Sequence, residues 1–162
     1  MIPFAAVLSQ ASAMTNVINS AFSGRIDNMQ TTVGKNREVA KAYFDALGAG
    51  DMKRLSTIFA DDIVWHQPGT GALSGTYRGL DEVFSLFKKF MERSDGSFRI
   101  DEVGDIMENG DLVSVVLHFS ARRAGAGISM QGVDVMRIDN GKLAEVWLFS
   151  SDQEAEDRFW SE

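Results

Sequence analysis

No cysteine occurs in the 162 residues, and histidine occurs only twice, as His66 and His118. The first absence excludes disulfides, thiol nucleophiles and thiolate metal sites. The scarcity of histidine, with no H-E-x-x-H pattern and no tight carboxylate cluster, argues against a metal site. Basic charge is also short: 16 Lys and Arg face 23 Asp and Glu, for a formal net charge of -7. Nucleic acids and anionic membranes require basic patches, so neither is expected as a partner. No phosphate-binding G-x-x-x-x-G-K-[ST] loop, G-x-G-x-x-G fingerprint or G-x-S-x-G elbow is present, so nothing points to nucleotide binding or a serine hydrolase. No apolar run approaches the length of a membrane span. The opening, Met1 to Leu8, is apolar, and Ala11-Ser12-Ala13 is similar to a signal cleavage site, but a basic leader region is missing. The expected location is the cytoplasm, with export through residues 1–13 as the alternative.

What is present is an ordinary soluble composition, 44% hydrophobic and 24% charged, in a chain long enough for one domain with a real core. Residues 1–33 differ from the rest. Met14, Val17, Ile18, Ala21 and Phe22 recur at helical spacing, so this extension is expected to be partly helical. Residues 34–162 are expected to form a single domain. Val39, Ala40, Tyr43, Phe44 and Leu47 make an apolar helical stripe, with Asn36 as its N-cap. Gly48-Ala49-Gly50 ends that helix, and Asp51 caps a second one carrying Met52, Leu55, Ile58 and Phe59. A short strand follows at 63–66, broken by Pro68-Gly69, and residues 69–75 are expected to form a loop. A third helix spans roughly residues 80–92, with Asp81 and Glu82 in its first turn and Lys88, Lys89 and Arg93 near its end.

Beyond Asp95-Gly96 the pattern becomes that of strands, at 98–107, 112–122, 127–138 and 143–150. Asn109-Gly110 and Asn140-Gly141 mark hairpin turns. A terminal amphipathic helix opens at Asp152 and bears Ala155, Phe159 and Trp160. Helices first and an antiparallel meander after them predict an α+β domain, with helices on one face of a curved sheet and an apolar pocket between.

Asp134 stands out within this frame. Strand side chains alternate faces, so Ile128, Met130, Gly132, Asp134, Met136 and Ile138 share one face. That face is apolar except for one carboxylic acid in its middle. A carboxylate in such a setting must be paired, hydrogen-bonded or protonated, which makes it either a satisfied buried Asp or a group with chemistry to do. On the preceding strand, His66 shares its faces with the alternation Ile63-Val64-Trp65-His66, so either Trp65 or His66 faces the pocket and the other faces out.

Several stretches carry a family resemblance. They are Ala42-Tyr43-Phe44-Asp45-Ala46-Leu47-Gly48-Ala49-Gly50-Asp51, then Phe59-Ala60-Asp61-Asp62-Ile63-Val64-Trp65-His66, then Tyr77-Arg78-Gly79. The last is Asp134-Val135-Met136-Arg137 with the following Asp139-Asn140-Gly141-Lys142-Leu143-Ala144-Glu145-Val146-Trp147. Over about residues 36–160 the chain resembles the nuclear-transport-factor-2-like superfamily, and within it the SnoaL-like polyketide cyclases and ketosteroid isomerase relatives. The resemblance implies a cone-shaped α+β barrel, a curved antiparallel sheet wrapped around N-terminal helices, and a homodimer formed through the outer sheet face. It places Tyr43 where ketosteroid isomerases hold an oxyanion with a tyrosine, and Asp134 where they hold a protonated, hydrogen-bond-donating aspartic acid. Their general-base aspartate is replaced here by His66, a departure that is more similar to the cyclases than to the isomerases.

The site expected from these residues has Asp134, His66 and Tyr43 as its catalytic groups. His66 exchanges a proton near neutrality, Asp134 acts as base or orients the imidazole, and Tyr43 donates to a developing enolate oxygen. Trp65, Trp147 and Met130 are expected to line the pocket, with Phe59, Phe84 and Phe87. His118 alternates with Ser114, Val116, Ser120 and Arg122 on a semi-polar face expected to look outward, toward solvent or an interface. The expected function is acid/base chemistry on a small hydrophobic carbonyl compound, as an isomerase, cyclase or related lyase or hydrolase, without metal or cofactor. The alternative is a binding module of the same fold that holds a small apolar ligand or a partner protein and catalyses nothing.

Overall fold

The structure is a computed structural model and describes residues 34–161. The helix expected around residues 14–22 lies outside the described residues. Helix α1 (Lys35–Gly48) buries Ala40, Tyr43, Phe44 and Ala46 on one stripe, as the apolar spacing requires. Asn36 sits inside the first turn of α1 rather than capping it. Its amide Nδ2 donates to the Gly110 carbonyl at 2.9 Å, tying the helix start to a distant hairpin turn. The chain leaves α1 through Gly50, at a φ of 64°, which costs glycine nothing. Asp51 then caps α2 (Met52–Ile58), its carboxylate accepting from the Arg54 N–H at 2.9 Å.

Phe59 turns the backbone from helical to extended at a φ of -74° and ψ of 148°. Strand β1 (Phe59–Gln67) therefore starts four residues before the apolar cluster at Ile63 suggests. A short strand, β2 (Gly75–Arg78), pairs back on β1 within the segment that follows Pro68. Helix α3 (Gly79–Arg93) opens with the Glu82 carboxylate accepting from the Arg78 N–H at 2.7 Å, and buries Val83, Leu86 and Phe90. Truncating Leu86, which is fully buried, to alanine would cost about 2–5 kcal/mol.

The meander follows as β3 (Arg99–Asn109), β4 (Leu112–Arg123), β5 (Ala126–Asp139) and β6 (Lys142–Ser150). Gly110 adopts a φ of 65°, Asn140 49° and Gly141 75°, the left-handed values that tight hairpin turns need. The six strands lie in the order β2-β1-β6-β5-β4-β3. All neighbours are antiparallel except β1 and β6, which run parallel. A parallel pair requires a crossover, and the chain between them supplies it through α3 and the meander.

Helix α4 (Gln153–Ser161) returns to close one end of the core. Polar bonds fix its position: Asp157 Oδ2 accepts from the Thr70 N–H at 2.8 Å, and Ser161 Oγ accepts from the Ala72 N–H at 3.1 Å. Backbone passes so close that a Cβ on Gly71 would lie 3.0 Å from the Asp157 carbonyl oxygen. This docking turns Glu156, Phe159 and Trp160 inward, where all three are buried. Among the described residues, no helix is long and apolar enough to cross a membrane.

Candidate functional site

The register of the sheet decides which side chains meet. Asp134 pairs with Val115 on one side and Leu148 on the other. Its strand face is the expected one, since Ile128, Met130, Gly132, Met136 and Ile138 are buried with it. That face looks onto a cavity of about 740 Å³ between sheet and helices. Tyr43 enters the cavity wall from α1, Trp65 from β1, Phe87 and Phe90 from α3, and Trp160 from α4. Apolar lining predominates, as in most small-molecule sites.

Two hydrogen-bonding groups in this wall stand apart. Among the described residues, nothing hydrogen-bonds the Asp134 carboxyl or the Tyr43 hydroxyl, and neither side chain hides a polar atom sealed from the cavity. Burial disfavours the charged form of Asp134 and, with the negative charge of Glu156, pushes its carboxyl up to about 8. Burial also raises the Tyr43 phenol well above its usual range, and the charge of Asp134 adds to the effect. Both groups are consequently proton carriers at neutral pH, and both are available to a ligand.

A third polar group shares the cavity. Glu156, from α4, is buried, and its carboxylate accepts from Gln67 Nε2 at 3.1 Å, Trp160 Nε1 at 3.3 Å, Gln153 Nε2 at 3.2 Å and the Ser150 hydroxyl. Burial raises this carboxyl on balance above its usual range, against the bonds from Ser150, Trp160 and Gln153, which pull it down, and with the charge of Asp157, which adds to the rise. Sequence reasoning passed over Glu156 and Gln67. The signal for Glu156 was present: it lies three and four residues before Phe159 and Trp160, on the apolar stripe of its helix.

The structure corrects the expectation for His66. His66 pairs with Trp147, and Trp147 with Val135, so His66 occupies the face of the sheet opposite to Asp134. There its ring stacks on the Trp147 indole, with centroids 5.4 Å apart and planes 9° apart. Nε2 lies 2.8 Å from Glu145 Oε1 and Nδ1 lies 3.3 Å from Thr76 Oγ1. The alternation on β1 is resolved in favour of Trp65, which with Gln67 faces the cavity. Trp147 is displaced from the expected lining for the same reason of parity.

Of the remaining expected lining residues, Trp65 and Phe87 reach the cavity, and Met130, Phe59 and Phe84 do not. Phe59 and Phe84 stack on each other at 5.9 Å inside the core, and Met130 packs beside Phe119 farther along β5. His118 lies on the outer face as expected, bonded to Asp101 at 3.2 Å. Among the described residues, no three His, Asp or Glu side chains converge as a metal site would require.

This architecture has known counterparts. The SnoaL-like domain matches residues 40–146. An uncharacterized protein of Mycobacterium tuberculosis is 27% identical over 125 residues, covering 76% of this chain and 95% of that one. A crystal structure of a protein of unknown function with a cystatin-like fold from Xanthomonas campestris superposes with a TM-score of 0.75 at 42% identity, covering 78% of this chain and 98% of the other. An NTF2-like protein from Burkholderia xenovorans superposes with a TM-score of 0.65 at 26% identity, covering 76% and 94%. The match to the domain family spans most of the described fold, from within α1 through the strand that carries Asp134 to Val146 on β6, and the chain therefore belongs to the SnoaL-like domain family.

Proposed function

We propose that this protein is a cofactor-independent acid/base enzyme, an isomerase, cyclase or related lyase or hydrolase, acting on a small hydrophobic carbonyl compound held in the apolar cavity. The observation that carries the reading is Asp134: a buried carboxyl with no hydrogen-bond partner among the described residues, facing an apolar cavity, with a proton affinity near working pH. A group that titrates close to ambient pH is an efficient proton shuttle. Asp134 in its ionised form takes a proton from the carbon next to the carbonyl. The C–H pair flows to the carbonyl oxygen, and the neutral Tyr43 hydroxyl donates to the resulting enolate. Protonated Asp134 then returns the proton at another position or to a leaving group. The aromatic wall supplies apolar contact and excludes water.

The outer face of the sheet supports a homodimer. Val116, Val133 and Phe149 form one row across β4, β5 and β6, and Phe149 leaves 57% of its surface exposed. A second copy of the chain is the occupant that would cover this row.

The test needs no knowledge of the natural substrate. A panel of cyclic and aryl ketones is first ranked by binding, and hydrogen–deuterium exchange at their α carbons is then followed by NMR. Wild type should accelerate exchange for the ketones that bind, and Asp134→Asn should bind them without exchange. Ketones that bind tightly yet exchange at the solvent rate would leave the binding-module reading in its place.

A further inference from the structure

Asp134 does not face its cavity alone, and the second carboxyl in the wall has the opposite hydrogen-bonding state. Glu156 accepts four bonds, two on each oxygen: Gln67 and Trp160 on Oε1, Gln153 and Ser150 on Oε2. Two indoles fix the polarity of this network, because an indole N–H can only donate. Trp65 Nε1 donates to Gln67 Oε1 at 3.3 Å, which leaves the Gln67 amide nitrogen to donate to Glu156. Trp160 donates to the same carboxylate oxygen directly. The Gln67, Gln153 and Trp160 N–H groups can only donate, so a proton on Glu156 has a single place to go, against Ser150 after its hydroxyl turns from donor to acceptor, whereas the Asp134 carboxyl has no such donors among the described residues.

We propose that Glu156 is a positioning residue: a carboxylate held ionised by its four donors, whose fixed charge in the cavity wall keeps Asp134 protonated toward neutral pH and strengthens it as a base once ionised. This rests on the reading of Asp134 as the proton-transfer group. Like charges sharing one low-dielectric site cannot both ionise easily, so the proton goes to the carboxyl without donors. On α4 itself Asp157 is a further charge that acts on Glu156: it raises that carboxyl and shares the Gln153 amide at 2.9 Å, but it is also held by Thr70. Of the other elements around the cavity, α1 brings Tyr43, neutral at these pH values. From β1 come Trp65 and Gln67, from α3 Phe87, Phe90 and Met91, from β4 Leu117 and Phe119, and from β6 Leu148, none of which titrates. Arg99 reaches the cavity from β3, but it is solvent-exposed and paired with Asp101. The two acids titrate as a pair in which order is decided by hydrogen bonding.

The test is a carboxyl titration by NMR on protein labelled with ¹³C at Asp and Glu side-chain carboxyls. In the wild type, Glu156 should ionise at lower pH than Asp134, and Asp134 should still carry its proton at neutral pH. In Glu156→Gln the Asp134 midpoint should fall by about one pH unit or more, and the pH profile of α-proton exchange should move with it. Gln67→Leu removes one donor and should raise the Glu156 midpoint. A wild-type titration in which Asp134 ionises before Glu156 would overturn the proposal, as would an unmoved Asp134 midpoint in folded Glu156→Gln. The titrations do not depend on turnover. A lowered Asp134 midpoint in a protein that exchanges no ketone proton supports the role of Glu156 and removes the catalytic reading alone.

Discussion

His66 and Glu145 are joined on the outer face of the sheet, Nε2 to Oε1 at 2.8 Å, while Arg137 holds the second oxygen of the same carboxylate at 3.3 Å. The His66 bond, then Arg137, keeps the Glu145 carboxyl below its usual range. This group is therefore a surface brace between β1, β6 and β5, separated from the cavity by the sheet itself. Replacing His66 with alanine removes one charge-assisted bond and the stack on Trp147. The expected loss is about 1 kcal/mol of stability, read by urea denaturation. Affinity for cavity ligands and α-proton exchange should stay within twofold of wild type. A collapse of exchange with the fold intact would return His66 to the chemistry.

Asp134 makes stability fall as pH rises. Its proton affinity is raised from 3.8 to about 8 in the folded chain. Between those values the folded state holds a proton that the unfolded state has released, so stability declines by up to about 1.4 kcal/mol per pH unit and levels off above the folded value. Asp134→Asn abolishes this slope. Thermal melts should show the variant close to wild type near pH 4 and clearly more stable near pH 8. Parallel pH dependence in the two proteins would mean that Asp134 is ionised in the fold.

The residues that made the fold legible were those whose role is local. Asn109-Gly110 and Asn140-Gly141 specify their turns through left-handed backbone angles, and Asp51 caps its helix with its own side chain. Asp134 was legible because period-two alternation is enough to place it among apolar neighbours. His66 was not, because alternation fixes only that Trp65 and His66 differ in face. The choice between them is made by the register of β1 against β6, a parallel pairing between segments about eighty residues apart in sequence. Glu156 was hidden differently. A glutamate on a helix is ordinarily solvated, and its partners come from β1, β6 and its own helix, brought together only by the docking of α4.

That docking also predicts a weak point. Asp157 bonds both the backbone N–H and the hydroxyl of Thr70, and a Cβ on Gly71 would crowd the Asp157 backbone, 3.0 Å from its carbonyl oxygen and 3.1 Å from its Cα. Gly71→Ala should destabilise the protein by about 1–3 kcal/mol and loosen α4, which carries Glu156 and Trp160 into the cavity wall. Hydrogen exchange should show faster amide exchange concentrated in α4 and in the segment from Thr70 to Ala72. Unchanged protection in α4 would mean that the helix tolerates the displacement.

The exposed row of Val116, Val133 and Phe149 should be read by association state. Phe149→Glu puts a charge at the β6 end of that row, on the side of the strand opposite to Leu148, which faces Asp134. Wild type should sediment as a dimer and the variant as a monomer with near-native circular dichroism, since a buried unpaired charge at an interface is strongly unfavourable. A wild type that sediments as a monomer at micromolar concentration would remove the second copy as the occupant of this face.

Tyr43 separates structure from chemistry most cleanly. Its ring is 2% exposed and packs at 4.8 Å from Phe44 and 5.9 Å from Phe59, so truncation to alanine would cost about 3–5 kcal/mol through the lost packing. Its hydroxyl, by contrast, bonds nothing among the described residues. Tyr43→Phe keeps the packing and removes only the group aimed at a ligand, so stability should change by less than about 0.5 kcal/mol. If the hydroxyl holds the enolate oxygen, α-proton exchange should fall about 100- to 1,000-fold. Ground-state ketone affinity should change far less, because the bond strengthens as charge develops on oxygen. An equal loss in binding and exchange would assign Tyr43 to ligand recognition instead, and a variant that exchanges at the wild-type rate would show that the enolate is stabilised by Asp134 alone.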